Sequence, residues 1–188
     1  SHAIRKILQM YPPKGNNKSM LRKGFTLIEM LIVLAVIGVL AATVAVMINP
    51  VDQIRKSNDA KRKTNIEQLQ RSLELYYQDN GRYPASSADF KIYIGSTALA
   101  WGAAWQPYMS KLPTDPIPGR TFIYYVPATS NGQTYYIYSS LERGAKDPQV
   151  CNNGSACTSI TTGGAGFPTA NACGATCNYG ISSPNVAP

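Results

Sequence analysis

The sequence predicts an α+β protein, with a long kinked N-terminal helix packed by its outer half on a small antiparallel β-sheet and a disulfide-rich C-terminal loop region. Three observations carry this. Residues 25–48 (FTLIEMLIVLAVIGVLAATVAVMI) are an apolar run with a single charge, Glu29. Residues 120–140 read as strand, turn, strand, with aromatic and β-branched residues on either side of Ser130-Asn131-Gly132. All four cysteines fall within the last 38 residues.

Charge and composition narrow the function. The one histidine, His2, removes His-dependent triads and His-ligated zinc enzymes. No cluster of acids, bases and nucleophiles emerges, and Glu142 and Asp147 read as isolated. The expectation is a non-enzymatic protein with no cofactor and no metal. The net charge of +8 is concentrated at one end. Residues 1–24 carry six of the 18 basic side chains and no acid, so the other 164 residues hold twelve bases against ten acids.

Residues 1–24 form a basic leader. Its first 19 residues begin without Met and lack apolar periodicity, so they read as an upstream extension, a mis-assigned start or an artefactual addition, and are left out of the fold. The apolar run that follows spans about 36 Å as a helix, enough to cross a hydrocarbon core. It is too long for a secretory h-region, and no small-residue cleavage site follows it. Positive charge before it places the N-terminus in the cytoplasm and the rest outside. A carboxylate inside lipid is costly and calls for a partner. If the chain were cut after Gly24, the new α-amino group of Phe25 would lie about one helical turn from Glu29.

Lys23-Gly24-Phe25-Thr26-Leu27-Ile28-Glu29, followed by unbroken apolar residues, resembles the processing motif of type IV pilins and pseudopilins. The resemblance implies cleavage after Gly24 by a prepilin peptidase and N-methylation of Phe25. It also implies pairing of Glu29 with the Phe25 amine of an adjacent copy. The implied function is a structural subunit of a type IV pilus or pilus-like filament, inserted in the inner membrane as a single-pass precursor with its C-terminus outside. It would then polymerise into an extracellular or periplasmic filament. The implied partners are copies of itself, the peptidase, the inner-membrane assembly machinery and, before assembly, membrane lipid. The alternatives are a type II secretion system pseudopilin and a single-pass anchored extracytoplasmic binding domain. In type IV pilins the stretch between a glycine near Gly38 and a downstream proline loses helicity in the fibre. Here the proline is Pro50, about one turn late.

Pro50 frees the carbonyl of Val46 and predicts a kink or break between a membrane half-helix, 25–51, and an outer half-helix, 52–80. Helical signals resume at Asp52. Ile66, Leu69, Leu73 and Tyr76 share one face, and Asn80-Gly81 is a stop signal. The reading is one kinked helix over 25–78. Arg55, Lys56, Lys61, Arg62, Lys63 and Arg71 read as solvated faces. Without interleaved aromatics they form no stacking platform, so DNA binding by repeated charge along a fibre is a minor expectation.

Residues 81–188 read as the globular head. Trp101 and Trp105 at i, i+4 predict a short helix over 97–111. Lys111-Leu112-Pro113-Thr114-Asp115-Pro116 is a rigid turn, and strands follow at 120–127 and 134–140, with a third strand expected after Lys146. This order resembles the major pseudopilin of type II secretion systems. The next segment departs from it, because Leu141-Glu142-Arg143-Gly144 replaces the Gly/Asp-rich calcium-binding loop the resemblance implies, which disfavours calcium at Asp147. Cys151, Cys157, Cys173 and Cys177 lack zinc-knuckle spacing and a nearby His, so two disulfides are expected in the tail, 150–188. Short loop closure favours the local pairs, with the other pairings open.

Overall fold

The computed structural model describes residues 24–164, 166–186 and 188. The leader expectation for residues 1–23 lies outside them. The chain divides into two compact units, one ending at Met47 and one running from Ile48 to Pro188.

Helix α1 (Leu27–Ile48) makes up nearly all of the described part of the first unit. It is long and apolar enough to cross a membrane, and no residue in it is buried. Its one mid-helix hydroxyl, on Thr43, donates to the Leu40 carbonyl at 2.8 Å, which keeps that group satisfied in an apolar surrounding. Gly38 lies within the continuous helix.

Helix α2 (Pro50–Asn80) opens the second unit. The expected single kinked helix is two helices. Asn49 takes a left-handed conformation at φ 44°, its side chain accepts from the Asp52 N–H at 3.4 Å, and Pro50 fills the first helical position. A proline there lacks only an N–H that would have no helical partner. At the other end Gly81 supplies the positive φ of 69° that closes the helix, donating its N–H to the Tyr77 carbonyl at 2.8 Å. Ile66, Leu69 and Leu73 are fully buried, and Tyr76 packs against the same cluster.

Two antiparallel sheets complete this unit. The first is β1 (Ala85–Ser86), β2 (Ile92–Ile94) and β3 (Thr97–Ala98). The second is β4 (Ile123–Tyr125), β5 (Tyr136–Ser139) and β6 (Tyr179–Ser182), with Tyr124 opposite Ile137 and Ile137 opposite Ile181. The expected third strand is therefore β6. Side chains alternate across the second sheet. Tyr124 and Ile137 join the core with Ile66, Leu69 and Leu73 of α2. Ile123 and Tyr138 face a second cluster formed by Cys157, Ile160, Cys173 and Cys177. Burial on both faces explains why these strands carry aromatic and aliphatic residues in unbroken runs.

The helix expected over 97–111 is absent. β3 occupies its start, Gly102 turns at φ 90°, and Pro107 withholds an N–H from the middle of the run. Trp105 and Met109 instead pair across an antiparallel bridge. Trp105 is still buried in the core, beside Tyr76 and Tyr108.

Candidate functional site

The first site is the start of α1. Thr26 sits just before the helix, and the pair Thr26 and Glu29 forms a reciprocal cap. Glu29 accepts from the Thr26 N–H at 2.7 Å and its hydroxyl at 2.8 Å, while the Glu29 N–H donates to the Thr26 hydroxyl at 3.2 Å. The carboxylate thus lies in the first turn, where the helix dipole favours a negative charge. Gly24 and Phe25 precede the helix and are exposed. Thr26 is not among the residues expected at this site, although Thr-x-x-Glu before an apolar run signals such a cap.

The second site is polar and lies where α2 meets the loop after β5. Arg62 is fully buried. Its guanidinium donates to Asp115 through two bonds of 2.7 and 2.8 Å and to Asp59 at 2.9 Å, with Glu142 at 3.4 Å. Asp59 in turn accepts the backbone N–H groups of Glu142 at 2.8 Å and Arg143 at 3.0 Å. Burial works to lower the arginine's pKa, but the hydrogen bonds and charges of Asp115 and Asp59 outweigh it, so the net shift is upward. Lys63, one position on, donates to both oxygens of Asp147 at 2.7 Å and lies 5.7 Å from the centre of the Tyr179 ring. Burial raises the Asp147 pKa, yet the Lys63 ammonium, the Gln149 N–H and the nearby Arg143 charge hold it below its ordinary value.

These contacts correct two expectations. Arg62 is not part of a solvated basic face, because its position continues the apolar stripe back from Ile66. Glu142 and Asp147 are not isolated, since each is paired with a cation of α2. Along the basic stretch Arg55, Lys56 and Lys61 stay exposed, while Arg62 is buried and Lys63 is half-buried. The missed cluster had a signal. Asp59 and Arg62 fall at the spacing of Ile66, Leu69 and Leu73.

The four cysteines form two disulfides, Cys151–Cys157 and Cys173–Cys177. These are the local pairs that short loop closure favours. They hold the tail against the outer face of the second sheet, where Tyr138 also hydrogen-bonds Ser159 at 2.6 Å.

The comparisons with known proteins fit both halves of this picture. Residues 19–45 match the prokaryotic N-terminal methylation motif. Residues 49–153 match the family model described as type II secretion system (T2SS), protein G. Three relatives are each described as type II secretion system core protein G. The one from Pseudomonas aeruginosa is 33% identical over 57% of this chain and 76% of its own length. The Escherichia coli protein is 32% identical over 50% of this chain and 66% of its own. The Klebsiella michiganensis protein is 31% identical over 52% of this chain and 70% of its own. No solved structure matches the chain.

Proposed function

The chain belongs to the type II secretion system protein G family, and from that premise we propose that it is the filament-forming pseudopilin of a secretion system. This places the alternative reading, a secretion pseudopilin, ahead of the type IV pilus subunit. The observation that carries it is the pairing, in one chain, of a methylation motif opening on a capped apolar helix with a protein G head. The precursor is inserted in the inner membrane with the head on the periplasmic side. A prepilin peptidase cuts after Gly24, and the new amine of Phe25 is methylated. Copies then leave the membrane for a filament in which Glu29 of one subunit faces the Phe25 amine of its neighbour. The protein works by assembly and catalyses no reaction.

Assembly on this account has a modest hydrophobic component. Moving α1 from lipid to a filament core exchanges one apolar surrounding for another, so close packing and the Glu29–amine pair set the register. A carboxylate already held in the first turn is presented at the end of the helix where an incoming amine would arrive.

Deletion of the gene tests the choice of filament. The account predicts that exported proteins accumulate in the periplasm while long surface fibres persist. Loss of surface fibres with secretion intact would move the assignment to a type IV pilus subunit. Mass spectrometry of the assembled subunit should find Phe25 as the methylated N-terminus, and an uncut leader on assembled protein would overturn the processing step.

A further inference from the structure

The loop after β5 (residues 141–150) stands where the resemblance implies bound calcium, and its residues do not fit that ion. Calcium takes six to eight oxygen ligands at 2.3–2.6 Å, usually including several carboxylates. The loop carries two carboxylates, Glu142 and Asp147, and both are engaged. Each oxygen of Asp147 holds the Lys63 ammonium at 2.7 Å, and Oδ1 also accepts the Gln149 N–H at 3.0 Å. Glu142 faces the Arg62 guanidinium and Asn58. Among the described residues no three acidic, His or Cys side chains are grouped to hold a metal ion.

We propose that two cationic side chains of α2, Lys63 and Arg62, close this loop in place of a metal ion, so that the loop takes no calcium and the fold is independent of it. Lys63 bears directly on Asp147 at the far end of the loop. Arg62 bears on the near end through Glu142 and through Asp59, which accepts two loop N–H groups. Asn178, just before β6, closes the remaining side. Its amide accepts from the Leu141 N–H at 2.7 Å and donates to the Leu141 carbonyl at 3.1 Å. The loop therefore has donors for both carboxylates, and acceptors for the Leu141, Glu142, Arg143 and Gln149 backbone N–H groups, without a metal. A dication beside Asp147 would have to displace the ammonium and would then face the Arg143 charge as well, an unfavourable exchange at these separations. The inference holds whichever filament the subunit builds.

The test uses the full chain in detergent micelles, with Lys63→Met, which keeps an apolar stem of similar length, and Lys63→Arg, which keeps the charge. Thermal unfolding is followed by near-UV circular dichroism in excess calcium and in excess EGTA. Terbium luminescence provides a second readout, because Tyr179 beside Lys63 would sensitise a lanthanide bound at Asp147. The wild type should give superimposable melting curves in calcium and EGTA and no sensitised emission. Lys63→Met should melt roughly 3–6 °C lower, with Lys63→Arg recovering most of the loss. Calcium raising the wild-type Tm, terbium emission that calcium competes away, or wild-type melting of Lys63→Met would each overturn the proposal.

Discussion

Helix α1 is apolar around its whole circumference and buries none of its 22 residues within the chain, whereas α2, with 31 residues, buries six along one stripe. The buried stripe of α2 begins with the charged pair Asp59 and Arg62 and continues through Ile66, Leu69, Ser72 and Leu73. The difference shows where each helix finds its partner. The stability of α2 is written into its own chain, through a sheet, a loop and an ion cluster. On the proposed function the surroundings of α1 come from outside the chain, as lipid or as other copies, and its single carboxylate would be the group that chooses between them.

Substitutions in the two helices should therefore separate cleanly. The largest effect is expected from Arg62→Met. It strands Asp59 and Asp115, whose side chains are almost entirely buried, and breaking one side of such a cluster costs about 3–5 kcal/mol. Chemical denaturation of the full chain in micelles measures this, and wild-type stability would mean the ion cluster holds nothing together. Leu69→Ala should cost about 2–4 kcal/mol through the cavity it leaves. The matched change Leu34→Ala in α1 should leave the unfolding of the head unmoved, because Leu34 is exposed within the chain.

Taken singly, each disulfide should contribute less. Their loops are short, with sequence separations of 6 and 4, so loop-closure entropy assigns each about 2 kcal/mol. Melting with and without reductant measures it. The core shared by Ile66, Leu69 and Leu73 should persist while the tail loosens, which hydrogen exchange can resolve by segment. The smallest effect is acid sensitivity at Asp147. Its pKa is lower folded than unfolded, so the unfolded chain takes up the proton first as the pH drops. The stabilisation is whole above the ordinary aspartate range, about pH 4, and is lost as the pH falls through the depressed folded value. Asp147→Asn should flatten that part of the stability profile.

What the sequence made legible follows the same division. Elements defined by local chemistry were readable: the apolar span, the 66–69–73–76 face, the Asn80-Gly81 stop, the strands around Asn131-Gly132 and the local cysteine pairs. Features defined by distant partners were not. Arg62 reads as one of a basic run until Asp115, 53 positions away, and Glu142, 80 positions away, are brought to it. The helix expected over 97–111 rested on the spacing of Trp101 and Trp105. That spacing reflects burial here, since β3, Gly102 and Pro107 deny the backbone a helix. A third strand is expected from the sequence only somewhere after Lys146; its place at Tyr179–Ser182, where Gly180 and Ser182 weaken the local strand signal, is fixed by the edge that β5 offers. The Thr26–Glu29 cap is itself local, a Thr-x-x-Glu before an apolar run.

Glu29→Val tests the central claim, that α1 is an assembly element whose one charge acts between copies. The substitution removes the only costly group from the apolar run and leaves the bond after Gly24 untouched, so membrane level and processing should equal those of the wild type. Filament yield, measured by shearing or crosslinking in cells lacking the wild-type subunit, should fall steeply, because an incoming amine loses its carboxylate. Wild-type filament yield from Glu29→Val at equal membrane level would contradict the account and return α1 to the status of a plain anchor.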